Sequence, residues 1–239
     1  MTAADSFRRG GRADVPGRAG TVRAIAFDLD GTLVDTAGEI AVALNRTLAE
    51  RGLAALSKAS VETLIGRGVP SMVERALRLA GAGAVDAPAA VERFEAHYAM
   101  TVATAAELYP GVREGLELLR AARVPMAVVT NKPRGFSERL LDRLEVRGAF
   151  AALVAGDDGY RRKPDGAMLV AACERMTSRA ADTVMVGDSD NDVRAARHAG
   201  CRIWCVPYGY NEGRAVETLA CDRVVDSVLE AARLVVAPE

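Results

Sequence analysis

Six short apolar runs, each closing on polar residues or glycine, limit the fold of this chain more than any other feature. They are Thr21–Asp28, Pro125–Thr130, Ala151–Ala155, Thr183–Val186, Cys201–Val206 and the shorter Arg223–Val225. They are rich in β-branched residues and continuous rather than alternating, as strands buried on both faces are. Between them the spacing predicts helices over Val112–Ala122, Arg134–Leu144, Ala167–Met176, Asp190–Ala199, Glu212–Leu219 and Val228–Leu234. Strands alternating with helices predict an α/β fold, a doubly wound parallel sheet of Rossmann-like form with helices on both faces. Ligands of such sheets bind beyond the carboxyl ends of the strands, so the polar residues after each run are candidates for one shared site.

From about Gly38 to Glu107 the alternation stops. Amphipathic patterns over Glu39–Arg51, Lys58–Ile65, Ser71–Leu79 and Ala89–Thr101, punctuated by Gly52, Gly66, Gly68, Gly81 and Gly83, predict a four-helix insertion between the first two strands of the sheet. The expected division is a catalytic core over 22–37 and 106–239 with an inserted helical cap over 38–105. Residues 1–21, rich in Arg, Ala and Gly, are expected to be a disordered tail; Asp5 and Asp14 argue against a transit peptide.

With 31 basic and 32 acidic residues the net charge is −1, so bulk electrostatics point to neither a nucleic acid nor a membrane surface as partner. No apolar run approaches the roughly 20 residues that span a bilayer. Cys173, Cys201, Cys205 and Cys221 form no C-x-x-C pair and are expected to be free thiols in a reducing cytoplasm. Lysine occurs only at Lys58, Lys132 and Lys163, so a lysine beside a motif is a candidate for use as a compact point charge.

Four clusters sit at strand ends. Phe27-Asp28-Leu29-Asp30-Gly31-Thr32 places two carboxylates two residues apart, on one side of an extended segment. Such a pair divides into an ionised nucleophile and a partner that holds a proton, while Gly31 allows close backbone approach to a phosphate. Alone, acids of this kind also populate ordinary turns. In Thr130-Asn131-Lys132 the hydroxyl and the amide can donate to phosphoryl oxygens, although a helix cap explains them equally well. Lys163 precedes Pro164, where an ammonium can offset carboxylate and phosphate charge; alone it reads as a surface charge. Finally, Gly187-Asp188-Ser189-Asp190-Asn191-Asp192 opens a helix with more acids than capping needs. Asp188 and Asp192 are candidate hard-oxygen ligands for Mg²⁺, and Asp190 is assigned to capping or solvent.

In this order (D-x-D-G-T, T-N-K, K-P, G-D-S-x-x-D) the chain resembles the haloacid dehalogenase superfamily over about residues 22–235. Asp30 favours phosphoryl transfer over dehalogenation. The insertion resembles the helical cap of the branch whose cap follows the first strand. Among the superfamily's phosphatases the closest likeness is to the bacterial phosphoglycolate phosphatases. It is carried by Ile65-Gly-Arg-Gly-Val69, Leu108-Tyr-Pro-Gly-Val112 and Tyr208-Gly-Tyr-Asn-Glu-Gly213 as well as the core motifs. Sugar-phosphate and N-acetylmuramate 6-phosphate phosphatases, and a phosphomutase of the β-phosphoglucomutase kind, carry similar stretches. A non-catalytic binding protein would be expected to have lost Asp28, Asp30, Lys163 or Asp188.

The resemblance implies a Mg²⁺-dependent phosphatase acting on a small phosphomonoester, most simply 2-phosphoglycolate, as a monomer or homodimer. It implies Asp28 as nucleophile and Asp30 as general acid and base. Gly31, Thr130, Asn131 and Lys163 would hold the phosphoryl oxygens. Asp28, the Asp30 carbonyl, Asp188 and Asp192 would surround the metal. Arg67, between Gly66 and Gly68 in the insertion, is the candidate for gripping the substrate carboxylate.

Overall fold

The structure, a computed structural model, describes residues 21–82 and 87–237. The tail expected over 1–21 (Thr21 apart) and Gly83 therefore lie outside the described residues. In chain order the elements are β1 (Ala24–Phe27), β2 (Val34–Asp35), α1 (Ala37–Ala49), α2 (Lys58–Glu62), α3 (Val69–Leu79), α4 (Ala87–Thr101), β3 (Glu107–Leu108), α5 (Val112–Ala121), β4 (Met126–Val129), α6 (Arg134–Arg143), β5 (Ala152–Val154), α7 (Ala167–Arg175), β6 (Thr183–Gly187), α8 (Asp190–Ala199), β7 (Arg202–Cys205), β8 (Arg223–Val224) and α9 (Val228–Val236).

Strands β5-β4-β1-β6-β7-β8 form one sheet, and every ladder in it is parallel. Residue parity explains the continuous apolar runs. Ile25, Phe27, Val128, Val184 and Val186 face one core with α5, α6 and α9. Ala24, Ala26, Val129, Met185 and Ile203 face another with α7 and α8. With both faces covered, neither parity can be polar. The chain leaves β1 for β4 and β5, then crosses back to build β6, β7 and β8 on the other side. That reversal opens a crevice at the carboxyl ends of β1 and its two neighbours.

A two-residue antiparallel ribbon, β2 with β3, joins the helical insertion to the sheet. It is too short to register as a period in the sequence. Within the insertion α1 packs on α4, and Phe94 stacks on Tyr98 at 5.5 Å between centroids. Tyr98 meets Phe136 of α6 edge-on at 4.9 Å, tying the insertion to the core. Among the described residues no helix is long and apolar enough to cross a membrane.

The helix expected over Glu212–Leu219 is not formed. Two 3₁₀ turns, Asn211–Gly213 and Val216–Thr218, take its place. Asn211 and Glu212 adopt φ of 36° and 51°. Here the backbone N–H groups of Tyr210 and Asn211 donate to Asp188, and the left-handed φ values of Asn211 and Glu212 prevent the chain from continuing as an α-helix. The helix expected from Ala167 does start there, and the Ala167 N–H donates to Asp165 Oδ1 at 2.9 Å.

Arg134 ties the start of α6 to the loop after β5 through two bonds to Asp158, at 2.6 and 2.8 Å. Burial raises the Asp158 pKa, but Arg134 and the Ala155 N–H outweigh it and hold the carboxyl below its ordinary value. A depressed carboxylate stabilises the fold above its unfolded pKa of about 4, and that contribution is lost as pH falls through the folded value. Thermal melts between pH 5 and 3 should therefore fall less steeply for Asp158→Asn than for wild type. Parallel slopes would show that this pair is not a source of acid sensitivity.

Candidate active site

The sheet brings Asp28, at the end of β1, to Asp188 and Asp192 after β6 and to Lys163 before α7. All four are buried. Asp28 Oδ1 accepts from the Leu29 N–H at 2.7 Å and pairs with Lys163 Nζ at 2.8 Å. Lys163 Nζ also donates to Asp192 Oδ1 at 2.7 Å and to the Val129 carbonyl at 2.9 Å, so its three protons are all engaged. Burial opposes its charge, yet Asp192 and Asp28 more than compensate and raise the pKa of the ammonium.

Asp28 and Asp192 share this one cation, and Asp188 lies beside them. Burial pushes the Asp28 carboxyl well above the ordinary range; Lys163 pulls it back, and Asp192 and Asp188 add to the rise. Asp188 is pushed up to about 6, by burial first and then by Asp192. One ligand oxygen from each of Asp28, Asp188 and Asp192 can be chosen so that all lie within 4.8 Å of one another. A buried cluster of hard oxygens with two more negative charges than positive fits a divalent cation such as Mg²⁺. The three do not contribute alike. Asp192 spends Oδ1 on Lys163 and Oδ2 on the N–H and hydroxyl of Ser189, a capping box that opens α8. Asp188 accepts from Thr32 Oγ1 at 3.1 Å and from the Tyr210 N–H at 2.7 Å. Asp28 Oδ2 makes no hydrogen bond or ion pair among the described residues.

Asp30 faces the insertion. Its Oδ1 accepts from Thr36 Oγ1 and from Lys132 Nζ, both at 2.7 Å. Asp28, Asp30, Thr130 and Lys132 line a cavity of about 40 Å³ whose far wall is Ile40, Val69, Met72, Phe94 and Tyr98 of the insertion. Thr130 Oγ1 accepts from the Lys132 N–H at 3.2 Å, which leaves its own proton to give.

Three expected site residues are engaged elsewhere. The Gly31 N–H, expected to face a phosphate, donates to the Val34 carbonyl at 3.0 Å. What Gly31 supplies is close approach: its φ is +84°, and a Cβ there would stand 2.6 Å from Asp188 Oδ2. Asn131, expected to donate to phosphoryl oxygens, spends both amide protons, on the carbonyls of Gly66 and Lys163 at 2.9 Å each. Its Oδ1 accepts from the Lys163 N–H, so it positions Lys163 and holds the insertion. Arg67 does not line the cavity. Its half-exposed guanidinium forms a two-pronged pair with Glu212, Nη2 to Oε2 at 2.8 Å and Nε to Oε1 closer still, and Arg75 approaches the same carboxylate at 3.4 Å.

Sequence reasoning left Lys132 and Tyr210 without a part in the site. The Tyr210 hydroxyl accepts from the Thr36 and Ala37 N–H groups at the start of α1 and donates to Asp35 Oδ1, while its backbone N–H seats Asp188. The scarcity of lysine was a signal for Lys132. Tyr210 was marked only by the stretch Tyr208–Gly213 that carries the resemblance, which did not show its role.

A parallel sheet with a buried nucleophile-like carboxylate, a braced lysine and an acidic cluster at its switch point defines the class, a hydrolase. The haloacid dehalogenase-like hydrolase family model matches residues 22–200, and the chain belongs to that family. It is 43% identical over 217 residues to a phosphoglycolate phosphatase of Nitrosospira multiformis, covering 90% of this chain and 96% of the relative. It is 44% identical over 206 residues to a plasmid-borne phosphoglycolate phosphatase of Cupriavidus necator, covering 86% and 89%. A crystal structure described as a predicted phosphoglycolate phosphatase from Haemophilus somnus superposes with a TM-score of 0.85 at 29% identity, covering 91% of this chain and 99% of that one. The protein is an enzyme of the phosphatase type.

Proposed function

We propose that the protein is a Mg²⁺-dependent phosphatase that hydrolyses 2-phosphoglycolate to glycolate and phosphate through an aspartyl-phosphate on Asp28. One observation carries this reading. Asp28, braced through Oδ1 by Lys163, and Asp30, the second carboxylate, line the same small cavity. Asp28 Oδ2 attacks phosphorus in line, forming one P–O bond as the bond to the leaving alkoxide breaks. This splits one hard displacement into two. Asp30 gives its proton to the departing oxygen, then takes one from the water that cleaves the acyl phosphate; such a role contributes typically ~10²–10⁴-fold.

Asp28, Asp188 and the Asp30 carbonyl would hold the metal, which supplies positive charge that lets an anionic nucleophile approach an anionic phosphate. Asp192 serves by holding Lys163, which braces Asp28 and offsets the charge of the phosphoryl group, and Thr130 has a proton to give to a phosphoryl oxygen. The insertion, residues 38–105, acts as the cap. Its apolar wall screens the acyl phosphate from water, and the small volume suits a short leaving group.

Turnover should require added divalent metal. After treatment with EDTA and removal of the chelate, 2-phosphoglycolate hydrolysis is expected to drop by about 10³-fold or more and to return with Mg²⁺ but not with Na⁺. Undiminished activity in excess EDTA would remove the metal from this reading. A kcat/KM panel of 2-phosphoglycolate, sugar phosphates, N-acetylmuramate 6-phosphate and an aryl phosphate tests the substrate. Equal, low values across it would leave a phosphatase built for a different leaving group.

A further inference from the structure

Arg67 is the sequence's candidate for reading a substrate carboxylate, and its guanidinium is committed to Glu212 outside the cavity. Among the described lining residues the one cationic side chain is Lys132. It is buried, and no role follows for it from Asp28 chemistry. Its Nζ has three protons. One goes to Asp30 Oδ1 at 2.7 Å, and the ammonium lies over the face of Tyr98, 4.8 Å from the ring centroid. That leaves capacity for another acceptor. Tyr98 is itself fixed by donating its hydroxyl to Glu39 Oε1 at 2.8 Å and by its contact with Phe136. The ring, on the cavity wall, therefore fixes the ammonium by its face without using the lysine's remaining hydrogen-bonding capacity.

Apart from Asp28, Asp30, Thr130 and Asn131 on the sheet side, the side chains of the remaining wall are apolar, among them Ile40, Val69, Met72 and Phe94. An anionic leaving group seated there has one matching positive charge within reach, and beside an apolar wall that match is stronger than in bulk water. Gly68 and Val69, at the N-terminal turn of α3, line the same cavity, so the helix dipole adds to the positive potential.

We infer that Lys132 determines specificity: its ammonium takes the carboxylate of the leaving group, which selects short phosphate monoesters bearing a carboxylate on the alcohol fragment. This rests on reading the site as a phosphatase of small phosphomonoesters, and it moves recognition of the leaving group from the insertion to the core.

The test is kcat/KM of the full-length enzyme with Mg²⁺ for three substrates of similar size: 2-phosphoglycolate, ethyl phosphate and 2-aminoethyl phosphate. The wild type should rank them in that order. In Lys132→Met the ratio of 2-phosphoglycolate to ethyl phosphate should fall by roughly 30-fold or more, and Lys132→Arg, which keeps the charge, should recover part of it. If the wild type prefers 2-phosphoglycolate but Lys132→Met slows both substrates equally, Lys132 serves Asp30 alone and the inference is overturned. Should wild-type enzyme turn over 2-aminoethyl phosphate as well as ethyl phosphate, no cation faces the leaving group. That result overturns the inference whether or not the variants fold. A wild type that hydrolyses ethyl phosphate without preferring 2-phosphoglycolate instead sinks the proposed substrate, and this assignment with it.

Discussion

Asp28→Asn is expected to lower turnover by on the order of 10⁴-fold or more, the scale seen when a covalent nucleophile is removed. The loss should appear in kcat, because an amide at this position still fits the cavity but cannot form the acyl phosphate. Acid-quenched single turnovers with ³²P-labelled substrate give the direct readout. Wild-type protein should carry label on the peptide containing Asp28, and the variant none. Folding should survive. Lys163 retains Asp192 and the Val129 carbonyl as partners, and one of three crowded negative charges is gone. Near-normal turnover in the variant would remove the covalent mechanism. Lost turnover with label still incorporated would place the nucleophile at another residue.

Lys163→Met should damage stability as well as activity. The side chain is buried between Asp28 and Asp192, and methionine leaves two buried carboxylates without their cation. Breaking a buried pair from one side costs about 3–5 kcal/mol. In a chain of this length that corresponds to a fall in Tm on the order of 10 °C. The sign of its pH dependence follows from the same charges. Without Lys163 the Asp28 carboxyl loses the cation that pulls its pKa back and rises further, so the deficit is full at neutral pH and shrinks as pH falls and Asp28 takes up a proton. Melts of wild type and variant in EDTA should therefore converge between pH 7 and pH 5. A gap unchanged with pH would mean that lost packing, not charge, causes the destabilisation. Loss of activity should exceed that of any surface lysine, since Lys163 orients Asp28 and neutralises the phosphoryl group.

The sheet was legible in the sequence because burial on both faces forces nearly all residues of its central strands to be apolar. Runs such as Thr183–Val186 stand out for that reason, and their polar ends mark the crevice. Asp28, Asp30, Lys163 and Asp188 were legible because several charged groups placed after strand ends are hard to explain by turns or capping alone. Other features depend on contacts between segments far apart in the chain. Asn131 and Gly31 look like phosphate donors until the Lys163 and Gly66 carbonyls and the Val34 carbonyl are seen to take their protons. Local pattern predicted a helix over Glu212–Leu219, but a left-handed turn at Asn211 and Glu212, beside the N–H groups that bind Asp188, breaks it. Arg67 sits in a glycine-flanked loop suited to gripping a ligand, yet Glu212, 145 residues along the chain, holds it. Composition and spacing determine which residues lie near the strand ends. Only the tertiary structure decides which of their hydrogen-bonding groups remain available, because each buried donor is taken by whichever acceptor the fold brings within about 3 Å.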